Sequence, residues 1–335
     1  MFLWAMKKVY DVFGIGNPLI DILARVQDSH LQELNLNKGV MHLIEEDARA
    51  VILDKIKHLP QTISPGGDCP NTMITLAMLN LKSVLAGKIG NDEFGLLFEQ
   101  QVTKKGVISS LVKEKGITGS SIILISPDSE RTMNTYLGKC RDFSKQDLDI
   151  ARLKQSRFFY FTGYMWDTQK QKEATLEALR VAKENDMVVV FDVADPFAVK
   201  RNRDDFLKII QEDVDIVLAN QEEAMILTDK KTAKDAVELL SSFCEIAVVK
   251  CGHKGSLIKK EKLYAIPVYK VKAIDTTGAG DMYAAGFLYG LCNNYDIELT
   301  GKIASFLASR VVQQIGAQLP RIPFDELEKL KESCT

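Results

Sequence analysis

Two patterns of apolar residues alternate along most of this chain. Short runs rich in β-branched residues occur at 9–16 (VYDVFGIG), 83–90 (SVLAGKIG), 158–163 (FFYFTG), 188–193 (VVVFDV), 215–220 (DIVLAN) and 246–252 (IAVVKCG). Runs of this kind predict strands that are apolar on both faces, as in a sheet covered from both sides. Between them, apolar residues recur at helical spacing. In 45–59, for instance, Ala48, Val51, Ile52, Ile56 and Leu59 share one face, and Glu45, Glu46 and Asp47 suit the positive end of the helix dipole. The same spacing predicts helices over 70–80, 92–105, 169–185, 203–212, 232–243, 279–291, 298–315 and 323–331. Strands joined through helices by short connections pair in parallel. The expected fold is α/β: a large three-layer domain with a central, mostly parallel sheet and helices on both faces.

Two stretches break that rhythm. Residues 17–43 and 107–140 carry short alternating runs (IDILARV, SSIILIS, RTMNTYLG), which predict a small β-sheet lid. The main domain is then expected from 9–16, 44–106 and 141–331. Residues 1–8 (MFLWAMKK) have their basic residues after the apolar ones, the reverse of a secretory signal, and are expected to be a flexible leader.

Composition narrows the partners. Among 335 residues, 43 Lys and Arg stand against 45 Asp and Glu, so nothing favours nucleic acid. No apolar run approaches the roughly 20 residues that cross a membrane. Six cysteines without paired spacing suit reduced thiols, hence a cytoplasmic protein, and none of the four histidines stands four residues from another to hold zinc on a helix.

Three glycine-rich stretches invite a nucleotide reading. GIGNPL (14–19) lacks the third glycine of a dinucleotide fingerprint, since Leu19 stands there, and Pro18 disturbs the helix start. GNDEFGLL (90–97) has the P-loop frame, but Leu96 replaces its lysine. DTTGAGDMYAAG (275–286) fares better. Its glycines bring bare backbone to the start of an apolar helix, where free amides and the dipole attract an anion. Asp281 sits just inside that site, placed to take a proton from an attacking hydroxyl. Taken alone, the stretch also reads as an ordinary glycine-rich helix start with an acidic first turn.

DTTGAGDMYAAGFL resembles the C-terminal signature of the ribokinase-like (PfkB) family of carbohydrate and nucleoside kinases. GIGNPLID (14–21), PGGDCPNT (65–72), NQEE (220–223) and KCGHKG (250–255) are similar to four further motifs of that family, in its order, over about 9–325. The resemblance implies ATP-dependent phosphoryl transfer to an alcohol, with Mg²⁺ and, in several relatives, K⁺. It makes Asp281 the general base and the amides of Gly278, Ala279 and Gly280 the anion hole. Arg131 would reach the phosphate from the lid, or remain a surface arginine. Asp21, with Asn17, would hold sugar hydroxyls. Gly66 and Gly67 would let the backbone approach the substrate, and Asn71 and Asn134 would contact it. Asn220, Glu223, Lys250, Gly252, Gly255, Thr276, Thr277 and Ala308 would border the ATP, with Glu223 near Mg²⁺ through water and Asp275 at a monovalent cation. Relatives often carry Thr or Ser where Lys250 or Cys251 stands. Within the family the chain is most similar to the adenosine-kinase-like branch. Tyr164 and Met165, with Trp166, would then plate a base, or else belong to the core. The acceptor is thus a nucleoside or a sugar, in a monomer or a homodimer. A non-catalytic nucleotide- or sugar-binding regulator of the same fold is the alternative.

Overall fold

The structure is a computed structural model that describes residues 8–128 and 130–332. The expected leader lies, apart from Lys8, outside the described residues. The strands are β1 (Tyr10–Ile15), β2 (Leu19–Arg25), β3 (Met41–Leu43), β4 (Gln61–Gly66), β5 (Ser83–Gly90), β6 (Ile108–Glu114), β7 (Gly119–Ile125), β8 (Arg131–Tyr136), β9 (Ser156–Thr162), β10 (Val188–Asp192), β11 (Ile216–Asn220), β12 (Ile246–Lys250), β13 (Ser256–Lys259) and β14 (Leu263–Ile266). The helices are α1 (Asp28–Glu33), α2 (Glu46–Ile56), α3 (Asp68–Met78), α4 (Glu93–Lys104), α5 (Ile150–Lys154), α6 (Gln169–Glu184), α7 (Pro196–Glu212), α8 (Gln221–Thr228), α9 (Ala233–Leu240), α10 (Ala279–Cys292), α11 (Ile297–Val311) and α12 (Phe324–Glu332).

Nine strands form the large sheet in the order β14-β13-β12-β11-β10-β9-β1-β5-β6, parallel from β12 to β6. Strand alternation explains why its sequences are apolar throughout. In β9, Phe158 and Tyr160 enter one core cluster while Phe159 and Phe161 enter the other. The first cluster also takes Met73 of α3, Phe287 of α10 and Leu307 of α11, and the second takes Ala178 of α6, Phe206 of α7 and Val237 of α9. Each face is covered by helices, so the middle of each strand is largely apolar and polar residues gather toward the strand ends. Helix α10 is buried on nearly every side, which holds its N-terminus rigidly in the middle of the molecule.

The small sheet runs β3-β8-β7-β2-β4. Here alternation sorts residues differently: Ile20, Ile22, Ile122 and Leu124 join the core, while Leu19, Asp21, Ser121 and Ile123 face a cleft. Two boundaries differ from the sequence pattern. Strand β4, placed by sequence in the main domain, pairs with β2 at the edge of the small sheet, where Pro65 costs no ladder hydrogen bond. Strand β6, placed in the lid, pairs in parallel with β5 in the large sheet. Its half-buried ISSLVKE has the mixed pattern of an edge strand, which alternates just as a lid strand does. Helix α7 starts at Pro196, seven residues ahead of the expected 203, because non-helical Asn202 interrupts its periodicity. Among the described residues no helix is long and apolar enough to cross a membrane.

Candidate active site

Strand order turns back on itself at β1: the chain goes one way to β5 and β6, the other way to β9 and β10. A cleft forms outside the carboxyl ends of parallel strands at such a switch point. The cleft here is a cavity of about 1020 Å³, roofed by the small sheet and floored by the start of α10. Asn17 after β1, Tyr164 after β9, Asn220 ending β11 and Lys250 ending β12 all line it.

Gly278 precedes α10 with φ of 75°, in the left-handed region, which lets 275–278 turn sharply into the helix. The Ala279 amide donates to the Thr276 carbonyl at 3.2 Å, so it is not one of the anion-hole donors expected from sequence. The amides of Gly278, Gly280 and Asp281 have no acceptor among the described residues, as the first turn of a helix requires. These three amides form the cradle.

Asp281 is half-buried beside these amides and lines the cleft, and the loss of water around its carboxyl pushes it up to about 7. Asn71 Nδ2 donates to its Oδ2 at 2.8 Å and pulls the value back. Asn71 Oδ1 in turn accepts from Gln318 Nε2 at 2.9 Å, and Gln318 Oε1 accepts from Lys105 at 2.6 Å. Asn71, which lines the cleft, therefore holds Asp281 with one end of its amide and is itself held by Gln318 at the other. Asp21 on β2 is also pushed up to about 7, first by burial and then by Asp68, with Arg131 opposing. Gly66 does not line the cleft; a Cβ there would meet the Asp21 carboxylate at 2.2 Å, so the glycine makes room for that acid. Gly67 does line it.

Several expected residues stand elsewhere. Arg131 Nη2 pairs with Asp275 Oδ2 at 2.5 Å and Nη1 donates to Thr277 Oγ1 at 2.7 Å, so the guanidinium is on Asp275 and does not line the cleft. Asp275 also accepts from the Thr277 amide and hydroxyl and from the Gly316 amide. With a guanidinium and three further donors on its carboxylate, this residue does not fit a monovalent cation. Asn134 is fully buried and donates to the carbonyls of Ile122 and Thr132. Its neighbours Met133 and Thr135 face the cleft instead, because alternate residues of a strand point to opposite faces. Met165 is fully buried, and Trp166 is held in the core by Phe206 and by Asp205. Neither lines the cleft.

Asn220 and Glu223 close a capping box at α8: the Glu223 amide donates to Asn220 Oδ1 at 2.9 Å, and the Asn220 amide to Glu223 Oε2 at 2.6 Å. Glu223 still lines the cleft, and burial pushes it up to about 7. Gly252, Gly255, Thr276, Thr277 and Ala308 line the same end. Sequence did not single out Asp68, Asp192 or Gln318. Asp68 stands in the quoted PGGDCPNT, where it looks like a first-turn acid. The other two sit in unremarkable sequence and gain meaning only from their neighbours.

Free amides at a helix start beside a carboxylate are an arrangement that suits the transfer of a phosphoryl group to an alcohol. The protein is a phosphotransferase of that kind, with the ribokinase-like fold. The chain belongs to the pfkB family of carbohydrate kinases, whose family model matches residues 47–324. A 5-dehydro-2-deoxygluconokinase of Halalkalibacterium halodurans is 30% identical over 281 residues, covering 80% of this chain and 85% of the relative. Among solved structures, a probable sugar kinase from Rhizobium etli is 32% identical with a TM-score of 0.88, covering 98% of this chain and 99% of that one. An adenosine kinase from Sinorhizobium meliloti is 34% identical with a TM-score of 0.86, covering 97% and 99%.

Proposed function

We propose that this kinase moves the terminal phosphoryl group of ATP to a primary hydroxyl of a nucleoside, with Asp281 as general base. The observation that carries the proposal is the half-buried carboxylate of Asp281, held by Asn71 beside the free amides of Gly278, Gly280 and Asp281. The acceptor oxygen attacks phosphorus, its proton passes to the Asp281 carboxylate, and ADP leaves; the amides hold the oxygens on which charge builds. Mg²⁺ bound with ATP would spread the phosphate charge. Glu223 suits it through water, since no group of three or more possible ligand side chains stands together among the described residues.

The choice of acceptor rests on the walls at the lid end. Leu19, Ile123, Met133 and Leu137 make a broad apolar surface beside Asp21. A flat base suits the first and the paired hydroxyls of a ribose suit the second. Among the described residues no lysine or arginine of the small sheet lines the cleft, where Lys250 and Lys270 come from outside that sheet, so a gluconate-type acid held at the lid end would find no cation from the lid. ADP release measured against nucleosides, neutral sugars and sugar acids should favour an adenosine-like nucleoside over any sugar acid by about 100-fold in kcat/KM. A preferred sugar acid would overturn this choice. ATP binding without turnover of any acceptor would leave a nucleotide-binding regulator.

Asn71 supplies a pH test. Its hydrogen bond favours the charged form of Asp281, so Asn71→Ala should move the acid limb of the kcat profile upward from about 7. Activity should fall about tenfold at pH 7 and recover in large part by pH 9. A limb that stays in place would separate Asn71 from the base.

A further inference from the structure

Lys250 departs from the residue types expected at its place, and the structure gives it a distinctive setting. It ends β12 in register with Asn220 of β11, and the neighbouring strand β10 ends at Asp192. Lys250 Nζ meets the two Asp192 oxygens at 3.2 and 2.8 Å. Lys250 lines the cleft and Asp192 does not, so the carboxylate holds the lysine from behind. A Cβ built on Gly280 would lie 3.6 Å from Lys250 Nζ and meet nothing closer. The ammonium therefore stands against the second residue of α10, beside the cradle of free amides. A buried ion pair adds little net stability compared with apolar residues of the same volume. Fold stability alone therefore does not account for a lysine that presents its charge to a cavity. Burial works against that charge, but Asp192, Glu223 and Asp281 outweigh it and keep the lysine above its ordinary value. Arg131, the other cation expected near the phosphate, is committed to Asp275.

We propose that Lys250 is a catalytic residue, meeting the terminal phosphate oxygens during transfer, and that Asp192 is a positioning residue aiming its ammonium at the α10 amides. The inference rests on the phosphoryl-transfer reading of this cleft. Lys250 forms no covalent bond and gives up no proton. The phosphoryl group passes from ATP to the acceptor oxygen, ADP leaves, and the acceptor proton goes to Asp281. The ammonium offsets charge on the phosphate oxygens as the bond to the leaving ADP breaks.

The experiment compares Lys250→Met, Lys250→Arg, Asp192→Asn and the Lys250→Met/Asp192→Asn double variant. Steady-state kinetics are read together with calorimetric binding of ADP and of a non-hydrolysable ATP analogue. Lys250→Met should lower kcat by about 10²–10³-fold with the acceptor KM within about threefold of wild type. The analogue should lose about tenfold more affinity than ADP, since only the triphosphate reaches the cradle. Lys250→Arg should restore part of kcat. Asp192→Asn should lower kcat about tenfold in the wild-type background and leave the Lys250→Met value unchanged, because its effect passes through the lysine. Lys250→Met strands a buried carboxylate and can lose its fold for that reason. The double variant removes both charges, so its folded kcat decides the question in either event. A double variant within threefold of wild-type kcat overturns the catalytic role, and equal costs of Asp192→Asn in both backgrounds overturn the positioning role. Asp281→Asn separates the two levels: an inactive Asp281→Asn beside an active double variant removes Lys250 alone, whereas an active Asp281→Asn removes the proposed chemistry of the cleft.

Discussion

Asp281→Asn should lower kcat by about 10³-fold while ATP and acceptor bind within a few-fold of wild type. An amide has the shape of the carboxylate and can still accept the hydrogen bond from Asn71 Nδ2. It cannot take the acceptor's proton, so the loss falls on the transition state and not on binding. The same substitution should stabilise the protein. Burial raises this carboxyl from 3.8 to about 7 in the folded chain. A group raised in this way contributes its stability fully below about pH 4, and that contribution is lost as pH climbs through about 7. At pH 8 the wild type holds a partly buried charge that the variant lacks. Asp281→Asn should then melt a few degrees higher at pH 8, with the gap closing toward pH 5. Kinetics and melting curves across that range check both halves. Activity within tenfold of wild type would remove the base, and equal melting at pH 8 would remove the account of its burial.

Gly278→Ala should be nearly as harmful by a different route. The residue has φ of 75°, and an added Cβ would meet the Ala317 carbonyl oxygen at 2.4 Å and its Cα at 2.6 Å. Both obstacles are backbone, so no side chain can swing aside. The strained dihedral costs about 1–2 kcal/mol and the overlap more, giving a loss of roughly 2–4 kcal/mol. Relief has to come from the turn itself, which displaces the amides of Gly278, Gly280 and Asp281. Misplaced donors lower kcat by about 10²–10³-fold. Gly106→Ala is the control. Its φ is 94°, but the nearest atom to the new Cβ is 3.6 Å away, at the Ala77 Cβ. It should lose only the dihedral term and keep full kcat. Equal damage in the two variants, read by denaturant unfolding and by kcat, would show that strain and not cradle geometry is at stake.

The substitutions that matter most fall where the sequence was most legible. DTTGAGD shows its chemistry locally, because a helix start, two glycines and an acid act within one turn of backbone. The parallel strands were legible for a similar reason: covered on both faces, they leave a continuous apolar signature. Legibility failed where a residue's meaning depends on a partner far along the chain. Asn134 and Met133 differ by one position, and only the register of β8 against β7 turns one to the core and the other to the cleft. Strand β6 alternates like a lid strand yet completes the large sheet, since an edge is open to water in either setting. Asn71 looked like a reader of hydroxyls, and only the fold shows Asp281, 210 residues away, holding one end of its amide.

By itself, then, the sequence determined the layered α/β architecture and pointed to the start of α10, with Asp281 beside it, as the candidate site. These follow from backbone periodicity and from groups within a few residues of each other. The tertiary structure alone decided which polar and charged groups meet: Arg131 on Asp275, Lys250 on Asp192, Gln318 behind Asn71. Coulomb forces and hydrogen bonds act across a few ångströms of space, and folding brings into that range residues that lie tens to hundreds of positions apart in the chain.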